Sequence, residues 1–138
     1  MPRLLLVLSA QRRALLLPLL EGEDAEIEWA MGFQDAVRKL SASPSYDLLL
    51  VDAELPDGSW RNLLLFVQNS GMVSEMIIVT RVEDHRLWAE VIQCGAYDLI
   101  VEPVEREELT RIIHNALQGH YMQRFTKAAK AASRIATA

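Results

Sequence analysis

Two spacings of apolar residues alternate along the chain. Uninterrupted runs lie at Leu4–Leu8, Leu48–Val51, Met76–Val79 and Leu99–Val101, the pattern of strands covered by helices on both faces. The segment Ala25–Ala30 (AEIEWA) differs: Ala25, Ile27 and Trp29 alternate with Glu26 and Glu28, as in a strand with one wet face. Between these segments the apolar positions recur at helical spacing. They are Phe33, Ala36, Val37 and Leu40, then Trp60, Leu63, Leu64 and Val67. A shorter set, Trp88, Val91 and Ile92, follows, and the longest is Leu109, Ile112, Ile113, Ala116 and Leu117. Ser59 is placed to cap the third helix and Gly71 to stop it. The first helix, near Arg12–Leu20, contains Pro18, which should kink or restart it.

Strand followed by helix, five times over, predicts right-handed crossovers between parallel strands. The expected fold is α/β: a doubly wound, flavodoxin-like (βα)5 domain with a five-stranded parallel sheet in the order 2-1-3-4-5. Sheets of this kind bind ligands beyond the carboxyl ends of their strands. The residues just past each run therefore matter most.

Composition narrows the picture further. A chain of 138 residues, 51% apolar, suits one domain with one core, here expected over residues 1–120. The single Cys94 excludes an internal disulfide and fits a reducing compartment. His85, His114 and His120 lack zinc-ligand spacing. The first apolar run is broken by Gln11-Arg12-Arg13 before any cleavage site, and none approaches the roughly 20 residues of a membrane span. A soluble, cytoplasmic protein without a membrane partner is expected.

Residues 1–120 carry ten Lys/Arg and all 19 Asp/Glu, a balance of −9, whereas residues 121–138 carry four basic residues and no acid. This basic, Ala-rich tail reads either as an extension of the last helix, weakened by Gly119, or as disordered chain. Four charges without base-reading side chains do not suggest a nucleic-acid partner.

At the strand ends lie Ser9-Ala10, Asp52, Thr80-Arg81 and Glu102-Pro103. Asp52 is followed by AELPDGSW, a Pro-Asp-Gly turn leading into a helix. Three motifs here stand in the order found in one family. YDLLLVDAELPDGS resembles the phospho-acceptor segment of response-regulator receiver domains, with Asp52 at the acceptor position. IIVT resembles the fourth strand, ending in the hydroxyl residue that contacts the phosphoryl group, Thr80. CGAYDLIVEPVEREEL resembles the fifth strand and last helix, including Pro103 and the cis peptide that the family places before it. The resemblance covers residues 3 to about 120. It implies two-component signalling: a histidine kinase or small phosphodonor phosphorylates the acceptor, with Mg2+ and cations neutralising the transferred charge.

The sequence departs from that pattern at several places. Leu8, Ser9 or Ala10 replaces the acidic pair that helps hold Mg2+; Glu102 replaces the lysine; Leu99 takes the aromatic switch position; Arg81 takes a position that is usually small. Two like charges about 5 Å apart repel by roughly 3 kcal/mol at an effective dielectric near 20. Asp52, Glu54 and Glu102 thus make the cleft hostile to a phosphoryl dianion. Any Mg2+ site, built from Asp52 and the backbone carbonyl of Glu54, is expected to be weakened. Three arrangements are open for Glu102. It points to water beside a vestigial site, the leading expectation; or Arg81, Arg12 or Arg13 swings over the pocket; or Glu102 itself reaches a divalent ion. Trp60 and Trp88 are expected to be packing residues, and Cys94 a small buried hydrophobe.

The expected function is that of a stand-alone, atypical receiver: a protein-interaction module rather than an enzyme, with Asp phosphorylation impaired or absent. With nothing after residue 120 long enough for an output domain, a kinase or downstream protein would dock on residues 84–118, with a homodimer left open. A phosphorylation-competent receiver using Asp52 is the alternative. A flavodoxin-like cofactor or nucleotide binder ranks last, because LSAQRR is a poor phosphate cradle.

Overall fold

The computed structural model describes the backbone of residues 1–43 and 45–137, and side chains as far as Met122 apart from Pro44. Strands β1 (Arg3–Val7), β2 (Glu26–Ala30), β3 (Leu48–Asp52), β6 (Glu75–Thr80) and β7 (Asp98–Val101) form one sheet in the order β2-β1-β3-β6-β7. All four pairings are parallel. Taking the five sheet strands in sequence, this is the order 2-1-3-4-5. The Pro-Asp-Gly turn forms a small antiparallel hairpin of its own, β4 (Glu54–Leu55) and β5 (Gly58–Ser59).

Alternating side chains of the central strands feed two separate cores. Leu5 and Val7, Leu49 and Val51, and Met76 and Ile78 enter one core with α2 (Phe33–Ala42), α3 (Trp60–Asn69) and α4 (His85–Cys94). Leu4 and Leu6, Leu48 and Leu50, and Ile77 and Val79 enter the other, with α1 (Ala10–Leu16) and α5 (Arg106–Thr137). Burial on both faces is why these strands read as unbroken apolar runs. β2, at the sheet edge, keeps the wet face that its alternation predicted.

Local signals account for most helix ends. The Ser59 side chain accepts a hydrogen bond from the Asn62 amide, capping α3. Pro18 closes α1 early, and the chain continues as a 3₁₀ turn over Leu17–Leu20. Gly95, at φ +99°, ends α4, with the Ala96 amide reaching back to the Val91 carbonyl at 3.2 Å. Helix α2 has no such local cap, because its N-cap residue is Gly32. Asp57, from the hairpin turn, substitutes: its carboxylate accepts from the Phe33 and Gln34 amides at 2.7 and 3.0 Å. These two bonds hold the Asp57 carboxyl below its ordinary range.

At the amino end of the sheet, Asp47 accepts from the Arg3 amide at 2.8 Å and pairs with buried His120 of α5 at 2.9 Å. That contact fixes α5 to the start of β3.

Two packing expectations need correction. Trp88 is 52% exposed and Cys94 is exposed. Helix α4 meets the sheet through the narrow stripe Leu87 and Val91, one helical turn apart. Trp88 and Ile92 each lie one position beyond that stripe and face outward. Trp60, in contrast, is buried as expected.

Candidate functional site

The carboxyl ends of the strands bring the singled-out residues together. In register, Asp52 stands beside Val79 and Thr80 beside Val101. The Glu102 amide bonds the Thr80 carbonyl at 2.7 Å, which holds Glu102 at the end of β7. One cleft of about 540 Å3 is lined by Ser9, Asp52, Glu54, Thr80 and Arg81, together with Arg12. Glu102 and Pro103, joined by a cis peptide, line the neighbouring groove, which shares Arg81. Ala10 begins α1 and is exposed. Leu99 lies within β7, packed toward the α2–α3–α4 side.

Arg12 was named in the sequence only as one of three arginines able to reach the pocket. It is only 8% exposed. Its Nε stands 3.4 Å from Asp52 Oδ2, and its Nη1 stands 3.7 Å from Glu102 Oε1. Ser9 aims it: the Ser9 hydroxyl accepts from the Arg12 amide at 3.2 Å and starts α1 there. Arg13 turns the other way and stacks on Trp29, 4.4 Å from the ring centre. Arg81 remains exposed.

The leading expectation for Glu102 is therefore corrected. Its side chain does not point to water; only 9% of it is exposed, against a buried guanidinium. Glu102 exchanges solvation for the field of a guanidinium that it shares with Asp52. Each pair attracts by about 4–5 kcal/mol gross at an effective dielectric near 20, offset by desolvation of all three ions. The attachment is ionic rather than hydrogen-bonded, because neither Arg12 Nη1 nor Glu102 Oε1 has a hydrogen-bond partner.

Asp52 has its other oxygen engaged locally: Oδ1 accepts from the Glu54 amide at 2.9 Å. Thr80 is buried, and its Oγ1 accepts from the Val82 amide at 3.2 Å. The donor set does not suit Mg2+. Ser9 brings no carboxylate from the end of β1, and its oxygen already serves the Arg12 amide. Asp52 and Glu102 already share a cation, while Mg2+ demands well-placed carboxylates and near-octahedral geometry. Among the described residues no group of three or more His, Cys, Asp and Glu is arranged to hold a metal. Nor is any described helix long and apolar enough to cross a membrane.

Comparison with known proteins agrees with this arrangement of strands and cleft. The family described as response regulator receiver domain matches residues 9–114. Response regulator protein PilR of Pseudomonas aeruginosa is 28% identical over 81 residues, 59% of this chain and 18% of that protein. Transcriptional regulatory protein DpiA of Escherichia coli is 28% identical over 75 residues, 54% of this chain and 33% of that protein. The chain thus spans a third or less of the length of these curated relatives. Among solved structures, the signal receiver domain of a putative Luxo repressor protein from Vibrio parahaemolyticus superposes with a TM-score of 0.82 at 25% identity. That match covers 91% of this chain and 96% of the other. The receiver domain of an HD domain-containing protein from Pseudomonas fluorescens gives 0.80 at 25% identity, covering 89% and 91%.

Proposed function

Because the chain belongs to the response regulator receiver domain family, we propose that it is an atypical receiver working as a signalling interaction module without Mg2+-dependent phosphorylation of Asp52. The observation that carries this reading is the placement of Arg12 between Asp52 and Glu102. In an active receiver the acceptor carboxylate must attack a phosphoryl group that is already neutralised by metal and lysine. Here the cation next to the acceptor position comes from α1 and is held by a second carboxylate. The nucleophile is engaged, the metal donors are missing, and the residue in the lysine position carries the opposite charge.

The output, on this reading, is a protein contact rather than a reaction. Exposed apolar residues within the 84–118 segment support it: Trp88 and Ile92 of α4 and Val101 of β7, with Val82 just before the segment. Exposed aromatic and aliphatic side chains suit a partner protein, here a histidine kinase or a downstream protein.

The test is intact-mass analysis after incubation with acetyl phosphate and Mg2+. The expected result is no phosphoryl adduct on the natural chain. Stoichiometric labelling, lost in Asp52→Asn, would establish the competent-receiver reading instead, which the shared lining of the cleft by Asp52 and Thr80 favours.

A further inference from the structure

At the opposite end of the sheet from the cleft, a cavity of about 280 Å3 opens beside Glu75, the first residue of β6. Leu64 and Val67 of α3, with Met72 and Val73 of the loop that follows, form its apolar walls. Gln68 and Glu75 are prominent in its polar lining, and no Lys, Arg or His lines it. Its volume falls just below that of drug-sized sites, which pair apolar walls with a few polar anchors.

Glu75 is the unusual element of that lining. It is only 7% exposed, yet among the described residues its carboxylate has neither a hydrogen bond nor an ion pair. Burial alone pushes its carboxyl upward, and no neighbouring cation holds it down. Buried polar groups without a partner are rare and call for one. Its oxygens can still be reached. Among the described residues, the fully enclosed side-chain atoms without a partner are Arg12 Nη1, Glu102 Oε1 and His120 Nδ1. Both Glu75 oxygens therefore keep some access, and the cavity provides it.

Two helices end at the same place. Gln68 lies in the last turn of α3, and Gly95, also in the lining, is the C-cap of α4. Helix carboxyl ends carry partial negative charge that basic side chains in the last turn can offset. Neither α3 nor α4 has one there. Gln68 adds an acceptor, because its Nε2 donates to the Cys94 carbonyl at 3.0 Å and leaves Oε1 to accept.

We propose that this cavity binds an alkylguanidinium group, with Glu75 as its anion. The alkyl stem lies against Leu64, Val67 and Met72, and the planar nitrogens donate to the Glu75 carboxylate. A guanidinium matches a carboxylate with two parallel hydrogen bonds. It is also more weakly hydrated than an ammonium, so a largely buried site costs it less. A carboxylate or phosphate ligand would instead meet Glu75 and two helix carboxyl ends. A free alkylguanidine and the arginine side chain of a partner protein share this chemistry. Asp52 ends β3 at the other edge of the sheet, so occupancy of the cavity and phosphorylation are read independently.

The experiment is a 1H–15N NMR titration of the full chain at pH 7 with ethylguanidinium, its neutral counterpart ethylurea, and N-acetylarginine amide. The expected result is saturable shifts at Gln68, Val73 and Gly95, with ethylguanidinium binding about tenfold or more tightly than ethylurea. Glu75→Gln should abolish that preference, whereas Glu108→Gln, at an exposed position of α5, should keep it. Tighter binding of N-acetylarginine amide than of ethylguanidinium would assign the site to a partner's arginine, and the reverse order to a free ligand. Absence of saturable shifts, equal binding of urea and guanidinium, a preference that survives Glu75→Gln, or shifts mapping elsewhere would each overturn the proposal. If Glu75→Gln loses amide dispersion, the comparison of guanidinium with urea on the natural chain and on Glu108→Gln decides alone.

Discussion

Arg12 Nε lies 3.4 Å from Asp52 Oδ2, so an arginine of the first helix stands beside the carboxylate at the acceptor position. Removing it tests how much the cleft depends on that cation. Arg12→Ala leaves two carboxylates in a largely buried setting, and should cost roughly 3 kcal/mol, near the lower end of the range for breaking a buried ion pair. Urea midpoints at neutral pH measure this. The same variant should bind divalent cations more tightly than the natural chain, read by Mn2+ titration. Unchanged stability would mean that the pair is not formed in solution.

Restoring the lysine alone should fail. Glu102→Lys would place an ammonium beside the Arg12 guanidinium, replacing an attraction with a repulsion of similar size. We expect a lower thermal midpoint and no labelling by acetyl phosphate. Labelling should require Ser9→Asp, Arg12→Ala and Glu102→Lys together, which remake the metal donor, free the acceptor and supply the cation. Adduct formation in Glu102→Lys by itself would show that Arg12 is no obstacle.

Glu75, at the start of β6, is buried, and desolvation raises its carboxyl above the ordinary value of 4.5. The folded state therefore holds this proton more tightly than the unfolded state. Its contribution is most favourable below about pH 4.5 and is lost as pH rises through the raised folded value. Glu75→Gln should accordingly stabilise the protein at pH 7, with the gain fading toward pH 4. Thermal midpoints across that range, natural chain against variant, give the comparison; a gain that grows on acidification would contradict it.

Leu50 lies in the middle of β3 with no exposure. Leu50→Ala should cost about 2–5 kcal/mol through lost burial and the cavity left behind. A cost below about 1 kcal/mol would mean that the α1–α5 core collapses around the gap.

Much of this fold is legible in the sequence because helices cover both faces of the central strands. Leu48–Val51 and Met76–Val79 are apolar without interruption for that reason, and Glu26 and Glu28 interrupt β2 because it lies at the edge. The phase of α4 was not legible: Trp88, Val91 and Ile92 and the observed pair Leu87 and Val91 both fit helical spacing, and only packing against the sheet chooses. The choice among Arg12, Arg13 and Arg81 was hidden for a similar reason. Successive residues of α1 point about 100° apart, so the Ser9 cap decides which arginine enters the cleft and which one stacks on Trp29. Asp57 illustrates the remaining limit, since a cap supplied from more than 20 residues downstream leaves no local signature in the helix that it starts.

The close packing around that cap can be tested as well. A Cβ on Gly58 would stand 2.8 Å from Phe33 Cβ and Cγ, and one on Gly32 would stand 2.5 Å from Asp57 Oδ1. Gly58→Ala should push the hairpin off α2 and lower the thermal midpoint more than Gly119→Ala, where the backbone is helical and the nearest atom, Tyr97 Cε2, is 3.9 Å away. Equal effects would count against a tight hairpin–helix contact.

The Asp57 cap also makes two backbone amides into built-in reporters. Phe33 and Gln34 lie on α2, yet their protons are protected by a carboxylate on the hairpin that begins two residues after Asp52. Their hydrogen exchange therefore follows the opening of the cleft's own loop, not fraying of the helix alone. Whatever engages the cleft, be it ion, ligand or partner, is then readable at a distance, from two resonances, without labelling the site itself.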